Sequence, residues 1–207
     1  MTKLEAVNKI LRRCGLHPVT VLDTDGPSNA GEAERCLDES ELEVQSRGWN
    51  YNTRINVELT PNANQKISVP PGIININPYK MGDVGYTPGL QYGNSYTNGI
   101  AITVQGEYIY DLINNTTNWD DSIFVTYIQR WAFHCVPFPI QDYIVMMAAS
   151  RFNEKRGHER HQPGINRDAA IAKVRALQAN NNQSAVNVIN TNQTSQFFGM
   201  TIPSSPT

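Results

Sequence analysis

Four carboxylates, Glu107, Asp111, Asp120 and Asp121, lie among aromatic and strand-forming residues, and their types could support acid–base chemistry. A glycoside hydrolase needs two such groups at a fixed separation, one with its pKa raised by burial. Acids beside turn sequences such as Asn114-Asn115 are ordinarily solvated, so no catalytic residue is assigned. His158 and His161, with Glu154 one turn earlier, are metal-binding types, but the order His-Glu-Arg-His lacks the i, i+4 histidines of a zinc helix. Gly157 and Pro163 place that pair in a turn between helices. Asp23-Thr24-Asp25-Gly26 opens like a calcium loop, yet its glycine comes too early and Pro27 follows at once. A turn leading into a helix cap fits it better. His134 and Cys135 are chain neighbours and in a strand would face opposite ways, which precludes a dyad. No metal or cofactor is expected.

Gly82–Gly99 is rich in Gly, Tyr and Asn but has no Gly-Lys-Ser/Thr ending that would cradle phosphate. Tyr86, Tyr92 and Tyr96 on such a backbone have the composition of a docking loop, rigid aromatic anchors among adaptable polar residues. A plain spacer is the other reading.

The elements that must position these residues follow from periodicity. Thr2-Lys3-Leu4-Glu5 is a capping box, and Leu4, Val7, Ile10 and Leu11 share the face of a first helix stopped by Gly15. A second helix ends at Gly48, with Ala33, Leu37 and Val44 inward and Glu32, Glu34, Asp38, Glu39, Glu41 and Glu43 outward. From Trp49 the period becomes two, with further strands expected at 66–70, 72–77, 100–105, 108–112 and 123–131. Helix returns near Pro139 and closes at Gly157, with Tyr143–Ala149 the most buried stretch. A last helix starts near Asn166, with Ala170, Val174 and Leu177 inward. After Arg175 the chain carries no charge, and its polar end cannot build a core alone. The fold class is α+β: a helical bundle domain (1–48 with 137–180), an inserted antiparallel β domain (49–136) and an extended C-terminal tail (181–207).

Composition narrows the function. Seventeen Lys+Arg against nineteen Asp+Glu leave a net charge of −2, which disfavours gripping nucleic acid through its phosphates. Uncharged polarity dominates instead, with 22 Asn. The longest apolar run, Ile144–Ala149, is far short of the ~20 residues of a membrane span. The N-terminal stretch has no apolar h-region or cleavage site, so secretion is not expected. Cys14, Cys36 and Cys135 suggest reduced, mostly buried thiols rather than a disulfide framework.

Three stretches carry a resemblance: Ala6–Leu11 with Pro18-Val19; Glu43-Val44-Gln45-Ser46-Arg47-Gly48-Trp49-Asn50-Tyr51-Asn52; and Tyr143–Asn153. With Tyr108-Ile109-Tyr110-Asp111, they resemble the tail tubular protein A family of short-tailed bacteriophages over residues 4 to 156. The resemblance implies a structural virion protein without enzymatic activity, assembled in the host cytoplasm. It would form a homo-oligomeric ring of twelve-fold symmetry, joining the portal to the tail nozzle and offering outer surface to tail fibres. DNA would pass through the lumen without specific binding. A carbohydrate-binding or carbohydrate-hydrolysing tail component is the alternative.

A closed ring needs two different patches that fit head to tail. The acidic second helix, with Glu39 and Glu43, and the basic stretch containing Arg151, Arg156 and Arg160 form one candidate pair. Neutralisation of the two stretches within one subunit is the competing expectation. Phe197, Phe198 and Met200 form an apolar cluster in the uncharged tail and are expected to anchor it on the portal or a neighbouring subunit.

Overall fold

A computed structural model describes residues 1–22, 28–79, 100–157 and 162–189, with 183–189 described by their backbone alone. These residues form helices α1 (Lys3–Arg13), α2 (Asn29–Ser46), α3 (Phe138–Lys155) and α4 (Gln162–Ile189). The strands are β1 (Thr53–Leu59), β2 (Ile73–Pro78), β3 (Ile102–Gln105), β4 (Tyr108–Asp111) and β5 (Ile123–Gln129). A short 3-10 turn, Phe133–Cys135, precedes α3. Among the described residues the fold is therefore mixed α+β, with four helices and two small antiparallel sheets.

Local chemistry explains the helix ends. Thr2 and Glu5 form the expected capping box on α1, and the Ser28 hydroxyl accepts from the Gly31 N–H to start α2. After α2, Gly48 takes a φ of +73°, a left-handed conformation open to glycine at little cost. The period-two pattern from Trp49 does not become strand at once. The Asn52 side chain accepts from the Trp49 N–H at 2.8 Å and donates to the Gln45 carbonyl at 3.0 Å, which closes residues 49–52 into a turn. Strand pairing consequently begins at Thr53.

The larger sheet has the order β1-β5-β2, with a bulge between Arg54 and Val57 where Asn56 has a φ of 56°. The smaller sheet is the β3–β4 hairpin. Residues 66–70, expected as a strand, make only isolated bridges, Lys66 with Asn118 and Ser68 with Tyr108. Pro70 and Pro71 lack the N–H groups that would extend the ladder.

Two clusters of buried side chains result. Residues of all four helices, with Trp49, Phe133 and Val136, make one; Ile67, Ile76, Ile109, Trp119, Ile123 and Val125 make the other. As expected, Tyr143–Ala149 is buried nearly all round, with only Met147 partly exposed.

Helix α4 departs from its expected orientation and length. It begins at Gln162 and runs to Ile189, so the helix continues well into the segment read as tail. Its buried side is Ile165, Ala172, Ala176 and Asn180, while Ala170, Val174 and Leu177, expected inward, are exposed. Ala172 and Ala176, four apart, present small side chains toward α3 and permit close approach. Polar anchors fix the same rotation: Asn180 accepts from the Asn50 N–H at 2.9 Å, and Asp168 pairs with Arg13 at 2.8 Å.

Candidate functional site

The helical cluster and the β strands are joined through two polar residues of α2. The Gln45 side chain reads the Trp131 backbone in both directions, donating to its carbonyl and accepting from its N–H, each at 2.8 Å. One turn back, Glu41 is only 4% exposed, although the sequence pattern placed it among the outward acids. It accepts from Gln45 Nε2 at 3.1 Å and from Arg130 Nε at 3.4 Å. Burial pushes the Glu41 carboxyl above its ordinary pKa, and the Arg130 charge offsets this only in part. Beside the pair runs an open groove of about 490 Å³, lined by Lys3, Asp38, Glu41, Arg130, Trp131 and His134. Its charges are already used, since Lys3 pairs with Glu34 at 2.7 Å and with Asp38 at 3.0 Å.

The raised pKa fixes the sign of a pH effect. A carboxyl with a higher pKa in the folded state costs stability as pH rises from its unfolded value, about 4.3, through its folded value. Glu41→Gln removes that cost. Its melting temperature relative to wild type is expected to be most favourable at pH 7 and to lose that advantage as pH falls toward 4.5. A difference that does not change with pH would show that Glu41 does not titrate on folding.

The acidic and basic stretches that suggested an intersubunit contact lie side by side within one chain. Glu43 pairs with Arg151 and, at 3.1 Å, with Arg47. Lys155 reaches Glu32 at 3.1 Å and Glu39 at 3.6 Å. The Lys155 hydrogen bond holds the Glu32 carboxyl below its usual range. Arg156 lies instead over the Phe152 ring of its own helix, its guanidinium carbon 5.5 Å from the centroid. The pairs of Glu32, Glu39 and Glu43 with Arg151 and Lys155 are those expected if α2 and the α3 end neutralise each other inside the subunit.

The outer side of α4 is different in kind. Ile171, Val174 and Leu177 are 40%, 53% and 44% exposed. Arg167, Lys173 and Arg175 stand beside them, also exposed, and none meets a carboxylate among the described residues. A second open groove, about 330 Å³, runs along this helix between Tyr143, Met147 and Arg151 of α3 and Ala170 and Lys173 of α4.

The acid–base candidates do not assemble. Asp111 is buried, which raises its pKa, but bonds from the Asn114 N–H and side chain and from the Ile113 N–H outweigh this and hold it ionised. It is a turn acceptor, the opposite of a proton donor. Asp120 and Asp121 are exposed, as is Glu107. Among the described residues no group of His, Cys, Asp and Glu could hold a metal ion. Cys14 and Cys36 are buried and Cys135 is exposed; burial pushes the Cys14 thiol up to about 11, which keeps it protonated. No helix among the described residues is long and apolar enough to cross a membrane. Tyr86, Tyr92, Tyr96, His158, Arg160, His161, Phe197, Phe198, Met200 and the Asp23–Gly26 turn lie outside the described residues.

Sequence reasoning missed Gln45, Glu41 and the outer face of α4. For α4 the signal was present: Ile165, Ala169, Ala172 and Ala176 also recur at helical spacing, and small residues favour close packing against an apolar helix.

Among known families, the one described as tail tubular protein matches residues 4–196. Apart from Lys3 at the start of α1, the match spans the described helices and strands, and it includes the Gly/Tyr-rich segment between β2 and β3. No curated protein matches the chain.

Proposed function

The chain belongs to the tail tubular protein family, structural components of phage tails, and we propose that it forms the ring joining portal to tail nozzle and lining the DNA passage. The observation that carries this reading is the family match over residues 4–196, which takes in the helical part and the β strands together. In this reading residues 1–48 with 137–180 are a helical base, 49–136 an inserted β domain and 181–207 an extension. Twelve subunits close the ring, assembly takes place in the host cytoplasm, and tail fibres rest on the outer wall. A net charge of −2 suits a wall that DNA slides past without being held.

The chemistry of the fold supports a passive role. The buried side chains of Gln45, Asn52 and Asp111 bond backbone and neighbouring side chains, and Asp111 is fixed as an acceptor. Tyr86, Tyr92 and Tyr96 then serve docking to the nozzle or fibres, and Phe197, Phe198 and Met200 serve contact with the portal or a neighbour. Deleting residues 82–99 is expected to leave rings that bind portal protein but fail to bind nozzle protein in co-sedimentation. Normal nozzle binding by the deletion would reduce the loop to a spacer. The adaptor role itself is tested by negative-stain imaging of the protein mixed with its portal. Rings stacked coaxially on the portal are expected, and rings that ignore the portal would contradict the role.

A further inference from the structure

We infer that the outer face of α4 is one half of the subunit contact and that it receives the acidic edge of a neighbouring copy's β1–β5 sheet. This rests on the ring reading above and assigns its interface. Glu32, Glu39 and Glu43 of α2 pair with Arg151 and Lys155 of α3, and Glu34, Asp38 and Glu41 pair with Lys3 and Arg130, so the α2 acids offer little to a partner. Among the described residues, two places bring three exposed charges of a single sign together with exposed apolar surface. On α4, Arg167, Lys173 and Arg175 flank Ile171, Val174 and Leu177. The helix packs on α3 with its opposite side, so this face has no cover from its own chain among the described residues.

The second place is the end of the larger sheet. Glu58 and Phe124 are directly opposite each other on β1 and β5, and Phe124 is 48% exposed. The Ser122 hydroxyl donates to Glu58 at 2.6 Å, and the exposed Asp120 and Asp121 immediately precede Ser122 in the chain. None of these three carboxylates meets a cation among the described residues. One patch is basic and apolar, the other acidic and apolar, and they stand on different elements. Two unlike, complementary patches on one chain are what a head-to-tail ring requires. The apolar residues supply contact area, and the charges fix orientation.

Charge swapping tests the inference on the full chain. All positions involved are exposed, so the variants are expected to keep the wild-type melting temperature to within a few degrees. Lys173→Glu with Arg175→Glu, and separately Asp120→Lys with Asp121→Lys, should each reduce the ring fraction in native mass spectra roughly tenfold or more. Mixing the two variants should restore rings with the two chains alternating, because each basic face then meets an acidic one. Rings formed by either variant alone at the wild-type level would overturn the inference. So would a mixture that stays monomeric, since α4 would then face some other occupant, such as residues 190–207 or another tail protein. Wild-type protein that forms no ring would overturn the ring reading and this inference together, whereas wild-type rings indifferent to both reversals overturn this inference alone.

Discussion

Trp49→Ala is expected to destabilise the folded chain by about 3–5 kcal/mol, the range for truncating a large buried aromatic. Trp49 follows the left-handed Gly48 and turns back into the helical cluster, where it is buried with residues of α2 and α3. Its indole N–H donates to the Val44 carbonyl at 2.6 Å, at the end of α2 where the backbone itself supplies only a 3.4 Å bond from the Arg47 N–H. Alanine would leave a cavity, and a Val44 carbonyl held only by the long 3.4 Å bond from the Arg47 N–H. Urea denaturation followed by circular dichroism measures the loss. A midpoint equal to wild type would mean that the indole does not hold helices and strands together, and the account of the junction would fail.

Gln45→Ala should cost roughly 2–4 kcal/mol, from a side chain with no apolar function. It strips the Trp131 N–H and carbonyl of their partners and takes one donor from the buried Glu41. Each unsatisfied buried polar group costs about 1–3 kcal/mol. Gln45→Glu separates hydrogen bonding from volume. It keeps an acceptor for the Trp131 N–H but sets a carboxylate against the Trp131 carbonyl and Glu41. This variant should be at least as unstable as the alanine at pH 7 and should recover on acidification. If both variants melt with wild type, the Gln45–Trp131 pairing is not what joins α2 to the strands.

Much of this fold was legible from residue pattern, because burial writes a period into the chain. Leu4–Leu11 on α1, Ala33–Val44 on α2 and Tyr143–Ala149 on α3 announced their helices, and β2 to β5 appeared close to where they stand. The misreadings share a cause, which is that side-chain hydrogen bonds and relative burial depend on partners distant in the chain. Asn52 converts an apparent strand start into a turn by bonding back to Trp49 and Gln45. Glu41 reads as one more outward acid until Arg130, far along the chain, is brought beside it. On α4, two faces compete, one larger and more apolar, the other small enough for a close fit against α3. The close fit prevails with help from Asn180 and Asp168, and the larger residues are left outside. Exposed apolar residues that an isolated chain has no use for then acquire a meaning as contact surface. On α2 and α3 the converse holds for Glu39, Glu43 and Arg151, which read as suited to a neighbour and are ion-paired within the chain.

The central claim is that this family member works as a closed ring, and the mass of the native particle tests it most directly. Purified full-length protein, measured by native mass spectrometry at moderate ionic strength, should show one dominant species at twelve times the 23.2 kDa chain mass. A particle that remains at the mass of a single chain at every concentration tried would contradict the account.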